Sequence, residues 1–70
     1  MNVLKINGVE KKFEKENMPK TLPQLLQMLE VDAATVVAEI DGQIIKRSMF
    51  SQTSLANGQT IELVRFVPGG

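Results

Sequence analysis

The residues most able to take part in chemistry are the glycines of the final Val67-Pro68-Gly69-Gly70, which come just after the most strand-like segment, residues 60–67. Glycine has no Cβ, so Gly69 and Gly70 leave the backbone and a terminal carboxylate accessible. A partner protein can close around such a segment, and an incoming group can reach the carboxylate without meeting a side chain. We therefore take the Gly70 carboxylate as the candidate reactive group, with Gly69 providing access to it.

A Gly-Gly pair has little specificity by itself, because glycines are also common in frayed chain ends and in cloning scars. Here the pair follows a strong strand pattern rather than a low-complexity linker, which favours a functional interpretation. We expect residues 66–70 to form a flexible C-terminal tail outside the packed domain.

The composition argues against an enzyme that acts alone. A length of 70 residues predicts one domain, near the lower size at which a hydrophobic core can hold a fold. Cysteine and histidine are absent, so the chain offers no thiol nucleophile and no imidazole base. Its eight carboxylate side chains lack the spacing of an acid–base pair or a metal site. We expect a protein that is not an enzyme and that binds no metal or cofactor itself.

The charge pattern narrows the class of partner. Eight basic and eight acidic residues give a formal net charge of zero, so the chain lacks the basic surface that nucleic acid or an anionic membrane would need. Residues 1–5 have neither the apolar region of a signal peptide nor the pattern of a transit peptide. We expect a cytoplasmic protein that is a monomer when free and binds neither nucleic acid nor membranes.

Strands are predicted where apolar and polar residues alternate, over residues 1–6, 9–13, 36–40, 43–45 and 60–67. Three dipeptides typical of tight turns separate them, Asn7-Gly8, Asp41-Gly42 and Asn57-Gly58. The run of mixed charge over residues 10–16 is typical of a solvated hairpin arm rather than of a binding patch.

One helix is predicted between the second and third strands. Thr21 and Gln24 have the spacing of a capping box, and Pro23 falls in the first turn. Four leucines then follow at i, i+3, i+4 and i+7, forming one stripe for burial against a sheet: Leu22, Leu25, Leu26 and Leu29. We expect Met28 to fill a gap in the core beside them and the helix to end near Glu30.

The order strand, strand, helix, strand, strand, strand predicts an α+β roll, in which one helix covers one face of a mixed four- to five-stranded sheet. Phe50 and Leu55 are expected to plug the open end of its core. Because side chains alternate along a strand, Ile61 and Leu63 of the last strand should point into the core. Val64 and Phe66 should then lie on the opposite face.

Exposed apolar residues on that uncovered face, beside the tail, suggest a docking patch for partner proteins. The predicted partner-binding residues are Val64, Arg65, Phe66, Val67 and Pro68. Arg47 could add a charged contact. The alternative interpretation, that loops cover this face, remains open from the sequence.

The sequence resembles the ubiquitin-like β-grasp sulfur carriers, most closely the ThiS family of thiamine biosynthesis. The resemblance covers the whole chain and is carried by Asn7-Gly8, Thr21-Leu22, Leu25-Leu26, Leu29, Asp41-Gly42, Ile45-Lys46-Arg47, Asn57-Gly58, residues 61–64 and Gly69-Gly70. It implies a β-grasp roll whose last strand lies centrally, beside the first.

Several positions depart from the family pattern. Phe50 stands where the family often has tryptophan, and Lys46 where proline is common; Asp41 replaces an asparagine, and Gln59 an aspartate. Pro68 replaces a glycine or alanine, fixes its own φ and favours an extended residue before it. Such pre-extension would lower the entropy lost when the tail enters a partner. Proline near the end also resembles the MoaD carriers of molybdopterin synthesis, which are usually longer.

The resemblance implies partners and their cofactors. An adenylating enzyme like ThiF would use ATP and magnesium to form the Gly70 acyl-adenylate. A persulfide donor such as a cysteine desulfurase would supply sulfur, leaving a thiocarboxylate, and a thiazole synthase like ThiG would receive it. Three alternatives remain: a MoaD-like carrier for molybdopterin or another acceptor, a ubiquitin-like modifier joined to a target lysine, and a plain binding module.

Overall fold

A computed structural model describes residues 1–66. It contains five strands, β1 (Asn2–Ile6), β2 (Val9–Phe13), β3 (Val36–Ile40), β4 (Gln43–Ile45) and β5 (Thr60–Arg65). Besides the helix α1 (Leu22–Met28), it has three short 3-10 segments, at Lys15–Asn17, Ala33–Thr35 and Arg47–Gln52. No helix among these residues is long and apolar enough to cross a membrane.

The strands form one mixed sheet in the order β2-β1-β5-β3-β4. β5 is parallel to β1 and antiparallel to β3, whereas β1 with β2 and β3 with β4 form antiparallel pairs. The last strand therefore occupies the centre of the sheet, beside the first strand. This topology confirms the predicted β-grasp roll.

The two hairpin turns also fasten the outer hairpins to β5. Asn7 and Asp41 adopt φ angles of +50° and +49°, the left-handed conformation that a type I′ turn requires of its first residue. The Oδ1 atom of Asn7 accepts a hydrogen bond of 2.7 Å from the Leu63 N–H, and Oδ1 of Asp41 accepts one of 2.9 Å from the Thr60 N–H. Each turn side chain thus connects its hairpin to the central strand.

The helix begins as predicted. Thr21 Oγ1 accepts a hydrogen bond from the Gln24 N–H at 3.3 Å, while Gln24 Oε1 accepts one from the Lys20 N–H at 2.8 Å. Leu22, Leu25 and Leu26 are buried, and Leu29 packs partly buried against them, which confirms the leucine stripe.

The helix ends close to Glu30, as predicted. α1 stops at Met28, and Glu30 takes a φ of +59°. The Glu30 N–H donates to the Gln27 carbonyl and the Val31 N–H to the Leu26 carbonyl, which is the Schellman arrangement. Met28 is 47% exposed, so its predicted role as a core gap-filler is wrong. It lies roughly 110° around the helix from the centre of the leucine stripe.

The core lies between α1 and one sheet face. Its sheet side is formed by buried residues of three strands, Leu4, Ile6, Val36, Ala38, Ile40 and Ile61. Phe50 is buried in the core and Leu55 packs partly buried against it, so both belong to the core as predicted. Met18, in a loop without periodicity, is a core residue that the sequence pattern does not indicate. Residues 1–66 place their one α-helix on this face and leave the other face of the sheet uncovered.

Candidate functional site

An exposed apolar patch lies on the uncovered face of the sheet. Val64 is 61% exposed and Phe66 is 40% exposed. Val37 lies directly opposite Val64 in the β3–β5 ladder, and Ile44 of β4 lies on the same face. We call these four residues, Val37, Ile44, Val64 and Phe66, the open-face patch. All four are exposed, so no loop within residues 1–66 covers them.

The opposite face of β5 is occupied by the core, as predicted. Ile61 is fully buried, and Leu63 is partly buried against the core. Arg65 follows on the same face and is exposed. β5 therefore divides its side chains between packing on one side and a free apolar surface on the other.

Arg47 connects three parts of the structure near the end of β5. Its Nε atom donates to the Ala33 carbonyl at 3.2 Å, and its Nη2 atom donates to the Val36 carbonyl at 3.1 Å. Its guanidinium carbon lies 5.7 Å from the centroid of the Phe66 ring, within cation–π range. The sequence predicts only a charged contact between Arg47 and a partner, and does not indicate these contacts within the chain.

The backbone of Phe66 remains joined to the sheet. Its N–H donates to the Thr35 carbonyl at 2.9 Å, which extends the β3–β5 pairing by one bond beyond Arg65. The sequence prediction assigned Phe66 to the tail of residues 66–70. The other predicted site residues of that tail, Val67, Pro68, Gly69 and Gly70, lie outside the described residues and stay predictions.

A cleft opens on the helix side of β5, beside Arg65 at the end of the strand. Its volume is about 310 Å³, and its lining is mostly apolar: Ile6, Leu29, Val31, Val36 and Leu63. Asn7 and Arg65 contribute polar groups. Within residues 1–66, no group of acidic side chains is arranged to hold a metal ion.

Two members of the open-face patch, Val37 and Ile44, are not among the residues predicted from the sequence. Val37 lies beside Val64 because β3 pairs with β5 in the observed register, and Ile44 shares this face because β4 pairs with β3. The alternation that places Val36 and Ala38 in the core also turns Val37 outward, so the β3 pattern contained this information.

Sequence comparisons match nearly the whole chain to one family. The model of the ThiS family matches residues 4–70. The sulfur carrier protein ThiS of Bacillus subtilis is 29% identical over 68 residues, covering 97% of this chain and 100% of that protein. A thiazole synthase of Paramagnetospirillum magneticum is 34% identical over 67 residues, covering 96% of this chain. The chain spans only 20% of the length of that synthase.

Two solved structures from Geobacter metallireducens share the fold. A crystal structure of the thiamine biosynthesis protein ThiS superposes with a TM-score of 0.79 at 27% identity, covering 97% of this chain and 99% of that one. A solution structure of a thiamine biosynthesis protein gives 0.76 at 30% identity, covering 100% and 88%. The family model matches nearly the whole chain, and the β-grasp topology agrees: this chain belongs to the ThiS family.

Proposed function

We propose that this chain is a sulfur carrier of thiamine biosynthesis whose Gly70 carboxylate is adenylated and then converted to a thiocarboxylate. The observation that carries the proposal is the match to the ThiS family, which runs through both terminal glycines. The chain acts as a co-substrate of partner enzymes and not as an enzyme. Its place of action is the cytoplasm.

The chemistry explains why the carrier needs activation. A carboxylate is a poor electrophile, because its charge is delocalised and its leaving group would be oxide. Attack of the Gly70 carboxylate on the α-phosphate of ATP releases pyrophosphate and forms an acyl-adenylate. A persulfide sulfur then displaces AMP, and a thiol cleaves the resulting S–S bond, leaving a thiocarboxylate and a disulfide. The partners supply the thiols, the bases, ATP and magnesium.

Three partners follow from this scheme: a ThiF-like adenylating enzyme, a persulfide donor such as a cysteine desulfurase, and a ThiG-like thiazole synthase. The relative named as a thiazole synthase supports the last of these, because a region of it resembles this chain over 67 residues. It favours thiazole over molybdopterin as the product that receives the sulfur.

The open-face patch is the proposed docking surface for the adenylating enzyme and the synthase. Isolated exposed apolar residues are ordinary, but Val37 and Val64 are direct cross-strand neighbours and Phe66 continues the same face toward the tail. Docking there would bring a partner's active site within reach of Gly70. Arg65, Val67 and Pro68 would contact the same partners.

Replacing Phe66 by aspartate tests the docking surface. A charge buried in an apolar interface should raise the Kd for the adenylating enzyme at least about tenfold. Val9→Asp is the matched control, since Val9 is also exposed but lies in β2 at the sheet edge. Equal affinities of the two variants would contradict the proposal that the patch docks.

The function itself is tested by mass spectrometry after incubation with ATP, magnesium and a lysate that contains the native partners. Trypsin cleaves after Arg65 and releases residues 66–70, a peptide without methionine. A gain of about 16 mass units in this peptide therefore reports oxygen replaced by sulfur and not methionine oxidation. Removal of Gly69 and Gly70 should abolish it.

The alternatives give other outcomes. Conjugates of higher mass, joined through Gly70 to lysine, would identify a protein modifier. An unmodified tail beside active partners would indicate a binding module, whose partner binding should survive deletion of the two glycines. A thiocarboxylate that a molybdopterin synthase consumes, and a thiazole synthase does not, would change the acceptor.

A further inference from the structure

The short length of β4 leaves part of β3 without an outer strand. The β3–β4 pairing ends where Ile45 lies opposite Ala38, so Val36 at the start of β3 has no residue of β4 beside it. Arg47 occupies this position with its side chain. Its Nη2 and Nε atoms bind the carbonyl oxygens of Val36 and Ala33 at 3.1 and 3.2 Å, as strand amides would do elsewhere.

These two hydrogen bonds also fix the orientation of the Arg47 guanidinium group. A guanidinium group is planar and its donors point in a rigid fork, so bonds from two of its nitrogens to two carbonyls determine the orientation of its plane. The same group lies 5.7 Å from the centroid of the Phe66 ring. Phe66 is thus held twice, by Arg47 at its ring and by the Thr35 carbonyl at its N–H.

Phe66 immediately precedes the segment proposed to react, so in an extended chain a rotation at Phe66 would be carried to every residue beyond it. Four residues span at most about 14 Å when extended. A rotation of about 15° at Phe66 would therefore move an extended Gly70 carboxylate by about 3–4 Å. Displacements of this size separate a reactive geometry from an unreactive one.

We propose that Arg47 is a positioning residue for the reaction at Gly70, acting by holding Phe66 and thereby the direction in which the chain leaves the sheet. The inference rests on the proposed carrier function. Arg47 does not contact the reacting atoms; it acts through the Phe66 ring and the start of β3. Its loss should slow adenylation within the docked complex more than it weakens docking.

Steady-state adenylation by the activating partner measures this difference. Arg47→Gln should lower kcat about five- to tenfold. The KM of the activating enzyme for this chain should stay within about twofold, because Val37, Ile44 and Val64 still dock. Arg47→Lys should recover only part of the rate, since one ammonium cannot hold the fork geometry. Lys46→Gln, which removes the neighbouring exposed charge, is the matched control and should stay near the wild-type rate.

Two outcomes would overturn the inference in this assay: a raised KM at unchanged kcat, or equal rates for Arg47→Gln and Lys46→Gln. Full recovery of the rate by Arg47→Lys would also overturn it, because an ammonium group cannot hold the fork geometry on which the inference depends.

A second readout does not depend on sulfur carriage. NMR relaxation of the free chain should show larger fast motions at the Phe66 and Val67 amides in Arg47→Gln than in Lys46→Gln, together with a changed Phe66 ring shift. Circular dichroism establishes that both variants are folded. Unchanged Phe66 and Val67 relaxation in folded Arg47→Gln would reject positioning. If instead the wild-type chain is not adenylated, the proposed function fails while the NMR comparison still decides the role of Arg47.

Discussion

At the scale of single residues, Asn7 has two separate roles in the first turn. Its φ of +50° is a conformation that asparagine tolerates better than most residues, and its Oδ1 atom accepts the Leu63 N–H at 2.7 Å. Alanine would lose the hydrogen bond and meet backbone strain, whereas glycine would lose only the hydrogen bond. The two substitutions therefore separate the roles.

We expect Asn7→Ala to lower the free energy of unfolding by about 2 kcal/mol, half from strain and half from the lost bond. Asn7→Gly should cost about 1 kcal/mol. Urea titration followed by circular dichroism measures both. Equal costs would mean that the left-handed conformation carries no strain at this position.

Glu30 is a second residue with a backbone conformation that is unfavourable for its residue type. It occupies the left-handed position after α1, where glycine is the usual residue, with a φ of +59°. Glu30→Gly should raise the free energy of unfolding by about 0.5–1 kcal/mol, the relieved strain exceeding the entropy that glycine adds to the unfolded chain. Glu30→Ala keeps the strain and is the control in thermal melts. A gain in the alanine variant as large as in the glycine variant would point to the lost charge instead.

At the scale of elements, the two central strands β3 and β5 place two negative charges opposite each other. Glu39 of β3 lies directly opposite Glu62 of β5. Like charges in such cross-strand pairs are destabilising, and opposite charges stabilise by a few tenths of a kcal/mol to about 1 kcal/mol. The pair lies on the uncovered face, where salt can screen it.

Glu62→Lys should therefore stabilise the domain by about 0.5–1 kcal/mol in low salt, less in 1 M salt. Glu10→Lys is the reverse control, because Glu10 lies opposite Lys5 in β2–β1 and the change creates a like-charged pair. It should destabilise. Denaturant midpoints at both salt concentrations measure the effects, and changes of the same sign in the two variants would refute a cross-strand origin.

The elements also show which features a sequence can predict. Asn7-Gly8, Asp41-Gly42 and the Thr21 cap depend on a few adjacent residues, so local patterns identified them. The end of α1 was harder, because Glu30 stands where a glycine would have marked the helix terminus.

The contacts of Arg47 are the feature that the sequence predicts least. Its partners are backbone carbonyls 11 and 14 residues away, and the nearer one, of Val36, lies beyond the part of β3 that β4 pairs with. The open-face patch is intermediate. Alternation alone turns Val64 and Phe66 outward, but strand register is needed to place Val37 and Ile44 beside them.

At the scale of the whole molecule, the one α-helix within residues 1–66 supplies one side of the hydrophobic core. A domain of this size has a free energy of unfolding of about 4–10 kcal/mol. Leu25 is fully buried, and its truncation to alanine should cost about 3 kcal/mol. The melting temperature should then fall by about 12–24 °C. Met28→Ala, on the exposed side of the same helix, should leave the melting temperature nearly unchanged.

These two variants also test whether the carrier is recognised as a folded domain, because both retain the Gly69-Gly70 terminus. Between the melting temperatures of the two variants, at a point where nearly all of Leu25→Ala is unfolded and most of Met28→Ala is folded, Met28→Ala should be adenylated at close to the wild-type rate. The unfolded Leu25→Ala chain lacks an assembled open-face patch and should react far more slowly. Equal rates at that temperature, with the activating enzyme itself intact, would mean that partners recognise the tail alone and that the sheet contributes nothing to docking.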